Sequence, residues 1–240
     1  MKDSIINSNT VHFDESGFYA ESKRDWIHVA GTSDYTYSFY SSSRGKKAVD
    51  EAGILPYFKG TATHDSWSTY YKYNNCSHSL CNAHHLHELQ GIYDTYNLDW
   101  AMTMKEYLSS VKKKVDEAKN KGQSEIDLEL REKLLNEFDS IILHGYESTP
   151  KPTPKPKNKR GKPAHGKALC LLDRLKNRTV EIIDFLMDFN KPFDNNLVER
   201  DIRMTKLKQK ISGAFRNKEM AQAFCRIRSF ISTAIKPELP

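Results

Sequence analysis

The chain has 240 residues with 38% hydrophobic and 28% charged content, an ordinary globular composition slightly on the polar side. Such a length holds one sizeable core or two small domains. It contains no run near the roughly eighteen apolar residues of a membrane span, and its opening MKDSIINSNT lacks the apolar stretch of a signal peptide. Four cysteines without framework spacing exclude a disulfide scaffold and point to a reducing cytosol. The formal net charge is +6 and the pI about 9.0, with basic residues crowded into Lys151–Lys167 and again into Arg200–Arg228. Crowding of this kind suits a polyanionic partner, since each phosphate contact releases counterions; a solvated charged face is the plain alternative.

The first ninety residues read as mostly β. Val11–Phe18, Trp26–Ala30 and Tyr35–Tyr40 are rich in aromatic and β-branched residues and joined by short turns, which predicts an antiparallel meander. A helix follows over Arg44–Ala52, stopped by Gly53 and Pro56. Gly60–His64 is a further strand that delivers Asp65 at its end, and Ser77–Cys81 another, with a helix starting at Asn82. Strand signals then cease. Trp100, Met104, Leu108, Val111 and Val115 recur at helical steps, as do Ile126, Leu130, Leu134, Phe138 and Ile141, so two helices flank Gly122 as a hairpin. The run from Thr149 to Pro163 alternates Pro and Lys and is expected to be an extended linker or a strap on phosphates. Helices are expected at Lys167–Lys176, Val180–Phe189, Asn195–Lys208 and Lys218–Ala234, with Asp194 or Asn195 capping the third and Met220, Phe224, Ile227 and Ile231 on one face of the last.

Three acids stand out by context. Asp14 lies mid-strand between Phe13 and Phe18, where an acid is costly to bury unless paired or ligated. Asp65 ends a strand and can project into a cleft, although either aspartate could equally start a turn. Glu199 shares a helix face with Asn195, Asn196, Arg203 and Lys206, leaving Leu197, Ile202 and Met204 to pack inward. A carboxylate so framed is a metal ligand beside phosphate-binding groups, or simply one half of a surface ion pair with Arg203. Cys76, Cys81, His84, His85 and His87 invite a zinc reading, but a second knuckle is missing, since Cys170 and Cys225 are isolated.

The segments HFDESGF, THDSWSTYYKY, HSLCNAHHLHEL and FDNNLVERDIRMTKLKQKISGAFR, in this order, resemble transposases of the insertion sequence 66 family over about residues 10 to 235. The resemblance implies an α/β, ribonuclease-H-like fold with an Asp-Asp-Glu site, in which Asp14, Asp65 and Glu199 are catalytic and hold two Mg²⁺ ions, with Mn²⁺ as substitute. Asp14 is expected to bridge the ions, Asp65 and Glu199 to hold one each. It also implies DNA as partner, contacted by Asn196, Arg200, Arg203, Lys206, Lys210 and Arg216, a homo-oligomer on paired ends, and a cytoplasmic, nucleoid-associated place. Cys81 and His84 become structural or site-lining rather than zinc ligands.

The expected division is a first part of the core over 1–90, a helical insertion and linker over 91–165, and helices over 166–240 that complete the core. Family members carry a longer region before the first Asp, so a domain, a split product or a truncated element is expected here. Rival readings are a DNA-binding remnant without catalysis, a nuclease of the same fold, and a zinc hydrolase built on the Cys/His cluster.

Overall fold

Alternating side chains in the first third of the chain generate the sheet. The computed structural model describes residues 1–151 and 166–236, and the lysine- and proline-rich run from 152 lies outside the described residues. A short helix α1 (Lys2–Ile6), absent from the sequence reading, buries Ile5 and leads into β1 (Thr10–Ala20), β2 (Lys23–Gly31) and β3 (Thr36–Ser41). These three pair antiparallel, as the meander predicts. The helix α2 (Lys46–Ala52) then crosses over to β4 (Thr61–His64), parallel to β1, and β5 (Ser77–Leu80) runs parallel to β4. The sheet order is β3-β2-β1-β4-β5.

Period-two alternation assigns each residue of β1 to a face. Val11 and Phe13 join Ile54, Leu55, Phe58 and Tyr70 in a core beneath α2. On the opposite face Phe18 and Ala20 pack with Ile27, Val29 and residues of α8 (Asn196–Ser212) and α9 (Lys218–Ile235). Gly31 allows α8 to approach, because a Cβ there would lie 2.8 Å from Val198 Cγ1. The inward row of α8 is Val198, Ile202 and Thr205, whereas Met204, expected inside, is exposed.

Helix α9 departs from ordinary amphipathicity. Its sheet-facing side is Ala221, Cys225, Ser229 and Ser232, while Ile227 and Phe230 are 57% and 72% exposed. The apolar row of the sequence reading therefore largely faces outward. Edge chemistry explains this: the Ser38 and Thr36 amides donate to Ser229 Oγ (2.8 Å) and Thr233 Oγ1 (3.0 Å). The helix thus covers the free edge of β3 with hydroxyls rather than with leucines.

The described residues form two compact units, 1–81 with 194–236, and 82–151 with 166–193. The second is helical: α3 (Asn82–Tyr96), α4 (Asp99–Asn120), α5 (Leu128–Ser148), α6 (Lys167–Asn177) and α7 (Thr179–Met187). The predicted hairpin is α4–α5, with Trp100, Met104, Leu108, Val111, Val115, Leu134 and Phe138 buried. Trp100 Nε1 donates to Thr149 Oγ1 at 3.0 Å, and Gly145 lets Leu172 of α6 pack close. Leucines of α6 and the apolar side of α7 bring both helices into this unit, so its limits are wider than the interval 91–165.

Candidate active site

The parallel pairing of β1 and β4 sets the site. Thr10 lies opposite Thr61 and His12 opposite Thr63. The same offset, carried two residues further, brings Asp14 in β1 level with Asp65, the residue that follows β4. Asp14 points to the face covered by α8, the face of His12 and Phe18, and Glu199 lies in the first turn of that helix. The three acids expected from sequence are thus brought together within one compact unit.

Their electrostatics follow from this placement. Burial, reinforced by the charges of Glu15, Asp65 and Glu199, pushes the Asp14 carboxyl up to about 8, against one favourable bond from the Glu15 amide at 2.8 Å. Asp65 Oδ1 accepts the Trp67 amide at 2.9 Å, a turn that fixes the segment leaving β4.

Asn195 positions Glu199, a role the sequence did not reveal. The expectation that Asn195 shares an outward face with Asn196 and Arg203 is wrong, for it is buried. Its Nδ2 donates to the Phe13 carbonyl (2.8 Å) and its Oδ1 accepts from His12 Nδ1 (2.9 Å). Its amide donates to Cys81 Sγ at 3.1 Å, just past β5, and Cys81 Sγ lies 3.6 Å from Glu199 Oε1. Burial holds His12 below its usual range, consistent with a neutral ring donating through Nδ1. The N-cap of α8 is Asn195, whose side chain makes no capping bond, and Asp194 just before it takes the Asn196 amide on Oδ1 at 3.0 Å.

The expected DNA-contacting residues Asn196, Arg200, Arg203, Lys210 and Arg216 are all exposed. Lys206 continues the Glu199 row but donates to the Gly17 carbonyl at 3.0 Å, which ties α8 to β1. His84 stands on the exposed side of α3, in the helical unit. Cys76 lies 3.7 Å from the Tyr73 carbonyl, its thiol pushed up to about 11 by burial.

Glu15, next to Asp14, points to the other strand face, as alternation predicts. There its side chain is 2% exposed, taking Tyr70 Oη–H at 2.7 Å and two bonds from Arg44 at 2.6 and 2.9 Å. His64, fully buried ahead of Asp65, has Nδ1 at the Asp65 carbonyl and Nε2 2.9 Å from His78 Nδ1. Neither Arg44 nor His64 carries a local signal, because their partners are distant in sequence.

The chain is therefore a mixed α/β protein whose central parallel strands carry a cluster of acids faced by a helix with a further acid. A family model described as transposase IS66 family matches residues 1–223, and the chain belongs to that family. No curated protein matches it. The family makes it a transposase, with DNA as its partner. Among the described residues no helix is long and apolar enough to cross a membrane.

Proposed function

We propose that this chain is the catalytic domain of an Asp-Asp-Glu transposase that cleaves and joins DNA strands, with Asp14, Asp65 and Glu199 as the catalytic triad of acids. The observation that carries the reading is Asp14: burial, reinforced by the charges of Glu15, Asp65 and Glu199 around it, pushes its carboxyl to about 8. Acids so crowded call for cations, and the donors are carboxylate oxygens, which suit Mg²⁺ or Mn²⁺ better than zinc. Asp14, Asp65 and Glu199 would hold the ions, which supply charge stabilisation to the attacking and leaving oxygens of an in-line displacement.

The strand order and the placement of the acids support a ribonuclease-H-like core, formed by the sheet with α1, α2, α8 and α9, into which the helical unit is inserted. Arg203 and Lys210 extend the Glu199 row and would bind flanking phosphates, Arg203 bidentately. Asn195 fixes where Glu199 stands, through β1 and Cys81. The exposed Ile227 and Phe230 of α9 support a homo-oligomer, since large apolar side chains clustered on a surface mark contact sites.

The test is nicking of supercoiled plasmid with Mg²⁺ or Mn²⁺ by the wild type and by Asp14→Asn, Asp65→Asn and Glu199→Gln. Nicking by the wild type alone is expected. Joining of a pre-cut 3′-hydroxyl end separates a transposase from a nuclease. Nicking that persists in all three variants would overturn the assignment.

A further inference from the structure

Guanidinium and indole groups alternate on the face of the sheet opposite α8. Gly17 pairs with Trp26, Glu15 with His28 and Tyr19 with Arg24, so Glu15, Trp26 and Arg24 share one face. Arg24 lies over the Trp26 ring, 4.9 Å from its centroid, and Arg44 lies 5.0 Å from the same centroid. Arg44 also lies 4.6 Å from the Trp67 ring, which meets Tyr70 edge-on. The order Arg24, Trp26, Arg44, Trp67 makes a continuous cation–π ladder. Gly17 makes room for it, because a Cβ there would stand 2.8 Å from Arg24 Nε.

The ladder touches the neighbours of both aspartates. Arg44 is held by Glu15, the residue after Asp14, and Trp67 is fixed through its amide to Asp65. Arg44 is nonetheless 42% exposed, and both its bonds to Glu15 use Nε and Nη2 on one edge of the fork. Its Nη1 bonds no protein group among the described residues. Two indoles and a buried carboxylate hold the guanidinium still, so an anion meeting Nη1 immobilises little that is not already fixed. A guanidinium pre-ordered in this way, with one donor edge open and a second Arg on the same indole at 4.9 Å from its centroid, can meet neighbouring phosphates of a nucleic-acid strand. Base stacking is disfavoured here, since each indole already carries a guanidinium.

We propose that Arg44 and Arg24 form a sequence-independent phosphodiester-binding ladder that grips DNA on the sheet face away from α8, next to the residues that follow Asp14 and Asp65. The assignment rests on the DNA-cleaving reading of the acidic cluster, but its test does not require cleavage. Binding of a labelled duplex of arbitrary sequence is followed in chelator across a salt series, for the full chain and for Arg24→Gln, Arg44→Gln and the double variant.

Each neutralised phosphate contributes about 0.9 to the slope of log affinity on log salt. Each single variant is therefore expected to flatten the slope by about 0.9, and the double variant by about twice that. Arg44→Gln leaves Glu15 buried without its cation, so its melting temperature is measured alongside. Should that variant not fold, Arg24→Gln, whose arginine anchors no buried acid, and Arg44→Lys remain. The lysine keeps the charge but lacks the planar fork that holds Glu15 on one edge and stacks on the indoles, so it is expected to keep the slope and weaken binding several-fold.

Slopes unchanged in the glutamine variants, with wild-type binding and nicking intact, would overturn the ladder and leave the catalytic reading standing. Flattened slopes in a chain that never nicks would keep the ladder and overturn the catalytic reading. Absence of any wild-type DNA binding would overturn both.

Discussion

Replacing Asp14 with Asn should stabilise the metal-free protein at neutral and alkaline pH while abolishing its activity. The Asp14 carboxyl stands at about 8 against an ordinary 3.8, first because it is buried and then because Glu15, Asp65 and Glu199 surround it. Between those limits the folded chain holds a proton that the unfolded chain has released, so stability falls as pH rises through the window and levels off above it. Each unit corresponds to about 1.4 kcal/mol, which bounds the penalty at about 5–6 kcal/mol once the group is charged in both states. Asp14 is only half-buried by accessible surface, and water reaching it reduces the effect to about 2–3 kcal/mol. Asparagine carries no charge and keeps an oxygen for the Glu15 amide. Melting curves in chelator from pH 4 to 9 should nearly coincide at the acid end, diverge as pH rises towards 8 and run parallel above it. At about 2–4 °C per kcal/mol, the variant should melt some 5–10 °C higher at pH 8. Mn²⁺ should then raise the wild type and leave the variant unmoved. Curves parallel over the whole pH range, or a variant less stable at pH 8, would refute the reasoning.

Two further outcomes are expected. Asn195→Ala removes the bonds to His12 and the Phe13 carbonyl from a buried site, and should cost about 2–4 kcal/mol in urea denaturation; nicking per folded molecule should fall although every acid remains. The β1–β2 hairpin turns through Glu21 and Ser22 at φ of 50° and 64°, a conformation that L side chains adopt at a cost. Glu21→Asn with Ser22→Gly should raise the urea midpoint, by about 1–2 kcal/mol of stability, and leave DNA binding unchanged.

Most elements were legible because they rest on local periodicity. The meander, the strand that delivers Asp65 and the hairpin α4–α5 all follow from alternation or from three- and four-residue steps, which a single segment carries by itself. What failed depended on partners far along the chain. Asn195 reads as an outward polar residue by helical phase, yet three groups from β1 and the end of β5 draw it inward. The apolar row of α9 reads as core, but the helix lies on a strand edge whose amides take its hydroxyls. The short helix α1 carries too few residues for any period to show.

The contrast between Asp14 and Glu15 extends this logic to the site. They are neighbours in sequence, both acidic and both sheltered, and sequence alone gives little reason to prefer one. Strand alternation sends them to opposite faces, and their surroundings then differ in kind. Glu15 meets an arginine and a tyrosine hydroxyl, which offset part of the cost of burying its charge, although burial still holds its carboxyl above the usual range. Asp14 receives one amide bond and the repulsion of three acids. An acid compensated by the protein's own cation belongs to the scaffold, and here it holds Arg44 in place. An acid that its neighbours destabilise is one the fold retains at a cost in stability, and such residues collect where chemistry needs them. The two side chains thus divide the labour between the faces of one strand: Glu15 orders the surface proposed to hold the DNA, and Asp14 waits for the charge that would relieve it.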